Sequence, residues 1–338
     1  MRRPLAYLLM AIPGLALAWE HTTLARAAMN RPAPSATRRA ASGADGDSIL
    51  WIEMQNVDLH VDPRNAMRVR SLRGQVVTKP GTIAWLDDPT SFRIRATSGV
   101  VALDGAAISA LLNEVAFNYP GAPITNLRVT IENGSVVQRG TLHKGVALPF
   151  QMWAVPEMQP DGRLKLHPHR LTILGVNGIS LMHALGLHLD NMMNLSKARG
   201  VTVKGDDLYL DPLQIIPPPV VEGKLKSVRI EGAYLVQEFF HTADDTIFGG
   251  FVKVDSSAHN FVYFRGGTLR FGRLTMTDTD LLIGDTDEHD PLDLYFTEYN
   301  RQLVAGHTRN LPNLGLRTWM VDYGDLGTAP REKTFGRR

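Results

Sequence analysis

The sequence predicts an α+β fold in which a curved antiparallel β-sheet wraps around two apolar helices, followed by a small β-rich C-terminal extension. Three observations carry this. From Ile49 onward, short runs of alternating apolar and polar residues are separated by turn signals about every ten residues, the pattern of antiparallel strands. Two segments break that alternation with apolar residues at helical spacing. Their order (strands up to Leu103, a helix, two long hairpins, a second helix, strands up to Val236) lets one sheet close over both helices and leaves an apolar space between them.

The chain of 338 residues, 44% of them hydrophobic, is long enough to bury one large core or two modest ones. Residues 1–27 read as a secretory signal: Arg2 and Arg3 are the positive region, Leu5 to Leu17 the apolar run, and Ala16-Leu17-Ala18 or Ala25-Arg26-Ala27 the cleavage site. The apolar run is shorter than the ~20 residues of a spanning helix, so export with cleavage is expected rather than anchoring. The expected location is the periplasm or the exterior. Residues 28–48, rich in Pro, Ala, Ser, Arg and Gly, read as a disordered linker.

Residues 49–240 form the expected main domain. Strands are predicted at Ile52–Val61, Val69–Thr78, Phe92–Leu103, Val201–Leu210 and Leu225–Val236. Asn133-Gly134 and Asp161-Gly162 are the expected two-residue hairpin turns, because both residues of such a turn tolerate positive φ. The first helix opens at Asp104-Gly105 and carries Ile108, Leu111, Leu112 and Val115 on one face. A second, from Ile179 to Leu195, is apolar nearly all round, with Leu181, Met182, Leu185, Leu187, Leu189, Met192 and Met193; such a helix is enclosed by sheet or lies against lipid. In residues 241–338, the C-terminal extension, a strand pair is expected around Gly266-Gly267. A helix opened by Asp290-Pro291 is expected to carry Leu292, Tyr295, Phe296, Tyr299 and Leu303.

Catalytic signatures are not found: there is no phosphate-binding loop, nucleophile elbow, zinc-protease helix or dinucleotide-binding glycine triplet. The absence of cysteine removes disulfides, thiolate metal sites and a cysteine nucleophile. With a formal net charge of +2, two of whose positive charges lie in the signal, bulk charge argues against a nucleic-acid partner. No cofactor is implied. His167 and His169, two apart on a strand, face the same way as paired zinc ligands would, but an exposed strand face interrupted by Pro168 is the favoured reading, and the sequence does not assign a third ligand such as His143 or His60. The acidic stretch Asp278, Asp280, Asp285, Asp287, Glu288, Asp290 and Asp293 offers oxygen ligands for calcium but does not match the helix-loop-helix spacing; a solvated turn explains most of it.

The segments Val101 to Leu112, Leu127 to Gly134 with Gly140 and Leu148-Pro149-Phe150, and Asp161 to Pro168 resemble the LmeA-like phospholipid-binding family of bacterial envelope proteins, and more remotely the tubular lipid-binding superfamily. The resemblance covers about 50–240. It implies a groove or tube that takes up the acyl chains of phospholipid and has no catalytic residues to carry over. The expected lining is Ile108, Leu111, Leu112, Val115, Leu181, Met182, Leu185, Leu189, Met192 and Met193, while Ile215 and Ile216, ahead of three prolines, are the expected transient membrane contact. Two other classes compete: an outer-membrane-associated structural protein, and a secreted β-rich metal-dependent hydrolase using residues 278–293. With 7% aromatic residues the chain is poor in the girdles of a membrane barrel.

Overall fold

The computed structural model describes residues 49–178, 180, 188–242 and 258–327, and places more of them in strands than in helices and irregular chain together. The signal and linker expected over residues 1–48 lie outside the described residues. So do Leu181, Met182 and Leu185 of the expected second helix.

In the first half of the chain the strands are β1 (Leu50–Asp62), β2 (Asn65–Thr78), β3 (Ala84–Trp85), β4 (Phe92–Asp104), β5 (Ile124–Glu132), β6 (Ser135–Lys144), β7 (Val146–Met158), β8 (Leu164–Ile173) and β9 (Val176–Asn177). Then come β10 (Val201–Lys204), β11 (Asp207–Leu210), β12 (Val220–Glu222), β13 (Leu225–Glu231), β14 (Tyr234–Phe239), β15 (Phe261–Phe271), β16 (Leu274–Asp285), β17 (Leu292–Leu294), β18 (His307–Asn310) and β19 (Leu316–Met320). A 12-stranded sheet runs β13-β14-β4-β2-β1-β15-β16-β19-β18, with β12 beside β4, β17 beside β1 and β3 beside β15. A 7-stranded sheet runs β10-β11-β8-β7-β6-β5, with β9 beside β8.

The expected fold class is corrected at two points. Among the described residues no sheet wraps around two long apolar helices: the α-helices there are α1 (Gly105–Leu111), α2 (Leu189–Met192) and α3 (Tyr299–Ala305), none longer than seven residues. Helix α1 continues as a π-turn, Leu112–Ala116, and α2 ends where Met193 turns extended. Nor is the C-terminal part an appended extension, because β15 pairs antiparallel with β1 from Trp51↔Arg265 to Gln55↔Phe261 and so completes the large sheet. Among the described residues no helix is long and apolar enough to cross a membrane.

Local chemistry accounts for the elements that do match. Asn133 and Gly134 sit at φ 51° and 74°, closing β5 to β6 as a two-residue turn. At Asp161-Gly162 the turn lies where expected but is one residue longer: Gly162 N–H donates to the Gln159 carbonyl and Gln159 N–H to the Arg163 carbonyl. Pro160 thus supplies the fixed φ, and Gly162, at φ 86°, the left-handed residue of a three-residue hairpin. Two runs read as single strands, Val201–Leu210 and Leu225–Val236, are hairpins folded at Gly205 and Gly232.

Helix α1 has a task that periodicity does not reveal: it closes the exposed edge of β5. Asp104 caps it by accepting from Ala107 N–H at 2.7 Å. On the β5 side, Val129 N–H donates to Ser109 Oγ at 2.8 Å, and Asn113 both accepts from Leu127 N–H at 3.1 Å and donates to the Leu127 carbonyl at 2.8 Å. Side chains here take the place of a neighbouring strand. The approach is close enough that a Cβ on Gly105 would lie 2.3 Å from the Val129 carbonyl oxygen. Asn113→Ala leaves both Leu127 backbone groups without these partners and is expected to destabilise the fold by about 1–3 kcal/mol, measured by denaturant unfolding; an unchanged midpoint would contradict the edge-closing role.

Candidate functional site

Two hydrophobic clusters make up most of the interior. One covers the inner face of the large sheet with Ile52, Met54, Leu72, Ile94, Phe239, Val262 and Phe264. The other gathers α1, the small sheet and the end of the large sheet, including Met67, Leu103, Leu127, Met152 and Leu235. Leu59 and Val101 pack against both. Where the clusters meet, packing is incomplete, and a cavity of ≈130 Å³ remains.

Its floor is the sheet: Met54, Leu59 and Val61 of β1, Met67, Val69 and Leu72 of β2, Ile94, Val101 and Leu103 of β4, and Gln237 and Phe239 of β14. Its cover is two pieces of irregular chain, Ile216 to Pro219 and Tyr295 to Thr297. Pro218 and Thr297 face solvent while their neighbours Pro219 and Phe296 are buried, so the cover is a single layer of residues. Three successive prolines carry no backbone N–H, so the strap places no donor of theirs in the apolar wall.

One charged group stands at this wall. His60 hydrogen-bonds through Nδ1 to the Asp62 carbonyl at 2.9 Å and through Nε2 to the Asp293 carboxylate. Both neighbours only accept, so both ring nitrogens are satisfied together only in the imidazolium form. Burial on its own would lower the pKa, but the hydrogen bonds to Asp293 and Asp62 and the charges of Asp293 and Asp58 outweigh it and raise the pKa above the ordinary 6.5. The rings of Tyr295 and Tyr323, each with its centroid 5.5 Å from that of His60, supply aromatic neighbours for the cation.

The residues expected to line a lipid site are placed otherwise. Ile108, Leu111 and Leu112 are sealed in the core between α1 and the small sheet, Leu111 with 0% exposure, and Val115 is half-buried beside them. None of the four lines the cavity between the two clusters. Leu189 and Met193 border a pocket of only ≈30 Å³ under the small sheet, and Met192 borders an open polar groove with Asn113, Lys144 and Lys197. The membrane-contact reading of Ile215 and Ile216 is corrected: Ile215 is 1% exposed in the core, and Ile216 points into the cavity as part of its cover. Sequence reasoning missed the sheet residues, which look like ordinary inward positions of alternating strands.

His167 and His169 do share a face, the outer one: both are exposed, Pro168 between them is buried, and His167 Nδ1 pairs with Asp207 at 2.6 Å. His143 pairs with Thr125, and among the described residues no third histidine joins His167 and His169 in a metal-ligating group. Within the acidic stretch, Asp280 is structural. It accepts from Arg317 at 2.8 Å, Arg265 at 2.9 Å, Tyr263 at 3.1 Å and Asn313 at 3.1 Å. The expected helix after Asp290-Pro291 is instead β17, parallel to Val57–Leu59 of β1, and the helix begins at Tyr299.

Comparison with known proteins finds no family model, no curated protein and no solved structure that matches this chain.

The raised pKa of His60 gives a pH dependence. Its contribution to stability is fully present below the unfolded-state value near 6.5 and is lost as pH rises through the higher folded-state value. His60→Asn is therefore expected to flatten the fall of melting temperature with rising pH above ~6.5, recorded in chelator by calorimetry; equal slopes for variant and wild type would contradict the imidazolium assignment.

Proposed function

We propose that this chain binds a hydrocarbon group, the acyl part of a phospholipid or another acyl lipid, in the cavity between the large sheet and the Ile216–Pro219 strap. The observation that carries this reading is an apolar space bounded on one side by a rigid sheet and on the other by a single layer of irregular chain. The resemblance of residues 50–240 to phospholipid-binding envelope proteins supports it, and the reading of Leu5 to Leu17 as an export signal is consistent with it.

Size constrains how binding works. A cavity of ≈130 Å³ is close to the ~150 Å³ that admits benzene. Burying six carbon atoms yields on the order of 5 kcal/mol before the costs of association, an affinity around millimolar at best. A 16-carbon chain gains on the order of 10 kcal/mol, so useful affinity requires the strap to lift and the cavity to lengthen along the sheet. In this reading the closed form is the ligand-free state. Ile216 acts as the apolar plug of the cover.

The filling variant Val101→Phe tests this. Val101 faces the cavity from β4 opposite Val69. A larger side chain forced into a packed core costs about 1–3 kcal/mol, whereas one placed in a vacant site costs little. The expected result is loss of binding of a fluorescent fatty acid with an unchanged or higher melting temperature. Wild-type binding in Val101→Phe would show that ligand sits elsewhere, and absence of binding in the wild type would end the lipid reading.

A further inference from the structure

At the far side of His60 and Asp293, three carboxylates converge from three separate elements. Asp285 is the last residue of β16, Asp290 precedes β17, and Asp322 follows β19. The sheet brings them together: β16 and β19 run parallel with Asp285 opposite Met320, and Thr286 N–H donates to the Met320 carbonyl at 3.0 Å. The loop between Asp285 and Asp290 is folded back by Asn260, which donates to the carbonyls of Glu288 and Asp290 while accepting from Asn56 at 2.7 Å. One carboxylate oxygen from each of the three lies within 4.8 Å of the others.

Clustered acidic residues are common at surfaces, but here one of them is 6% exposed. Asp285 accepts from Asp287 N–H through Oδ1, and its Oδ2 is buried with no partner. Asp322 Oδ1 is likewise buried and unpartnered. None of the three carboxylates has an ion-pair partner among the described residues, and the charges that act on Asp285 are those of Asp322, Asp290 and Asp287. A buried oxygen with neither donor nor countercharge costs free energy that the fold elsewhere avoids, as the four donors around Asp280 show.

We propose that Asp285, Asp290 and Asp322 form a calcium site that joins the ends of β16, β17 and β19. The donor set is all oxygen, with no imidazole or thiolate, which selects a hard cation over zinc or copper. Two oxygens held at ~2.4 Å from one calcium ion are at most ~4.8 Å apart, the span within which these atoms fall. Magnesium, at ~2.0–2.1 Å, demands a near-ideal octahedron and gives up its water reluctantly, which three carboxylates from three separate chain segments suit less well. Burial, and then the mutual charge of the acids, pushes Asp285 up to about 7 and Asp322 up to about 6, and raises Asp290 as well. A divalent ion would give the buried oxygens of Asp285 and Asp322 the partner and the countercharge they lack. Asp287, occupied by the backbone and ring of His289, stays outside the set.

The test uses the full folded chain, stripped of metal with a chelator and titrated with calcium chloride by calorimetry, with melting temperature recorded in parallel against magnesium chloride. The expected result is one calcium per chain with a dissociation constant of about 10⁻⁴–10⁻³ M, as in extracellular calcium modules, and a melting temperature that calcium raises more than magnesium does. Asp285→Asn and Asp322→Asn keep the shape while removing charge. Each should fold in chelator and lose calcium affinity by about 10-fold or more; if Asp285→Asn does not fold, the half-buried Asp322→Asn decides. No heat and no thermal shift at millimolar calcium, magnesium bound as tightly as calcium, or wild-type affinity in the variants would each overturn the proposal.

Discussion

Strand β1 is the piece on which both halves of the large sheet depend. One of its edges is taken by β2, its neighbour in sequence; the other is shared between β15, along Trp51–Gln55, and β17, along Val57–Leu59. The ladders skip Asn56, which sits at φ 49° where the partner changes. Its side chain turns to Asn260 and fills the seam between β15 and β17. The His60–Asp293 pair and the loop that carries Asp290 are tied to this seam. His60, four residues on, reaches the cavity wall and holds Asp293, and Asp293 in turn accepts from Tyr323 N–H, next to Asp322. Cavity and acidic cluster are therefore linked through two side chains.

Much of the strand content was legible because antiparallel strands with one inward face write themselves as alternation. Leu127, Val129 and the Asn133-Gly134 turn are the plainest case, and the Asp104 cap with its following helix another. What alternation does not encode is who pairs with whom. Leu292 to Leu294 carry apolar residues that fit a helix as well as a strand, and only the vacancy beside Val57–Leu59 makes them β17. Val201–Leu210 and Leu225–Val236 read as single strands because Gly205 and Gly232 stand alone amid otherwise continuous patterns.

The cavity-lining residues were hidden for a related reason. Helical apolar stripes such as Ile108 and Leu111 are conspicuous, and they serve to bury α1 against β5. Cavity-lining residues such as Met54, Leu72 and Val101 share the inward period of every other strand residue, and a gap between two cores leaves no trace in either pattern. The acids make the same point. Asp280 and Asp285 lie five residues apart on one strand, yet one is paired with arginines from β15 and β19, while the other accepts a single backbone N–H and has only carboxylate charges around it. That difference arises from chain positions far apart in sequence, so the composition of the acidic stretch does not contain it.

The central claim is that the space between the large sheet and the proline strap exists to hold hydrocarbon. Native mass spectrometry of the folded chain, purified without detergent and then incubated with phospholipid vesicles, tests it most directly. The account predicts one acyl lipid bound per chain and released on collisional activation. A spectrum of the bare chain alone, both as purified and after incubation, would contradict it.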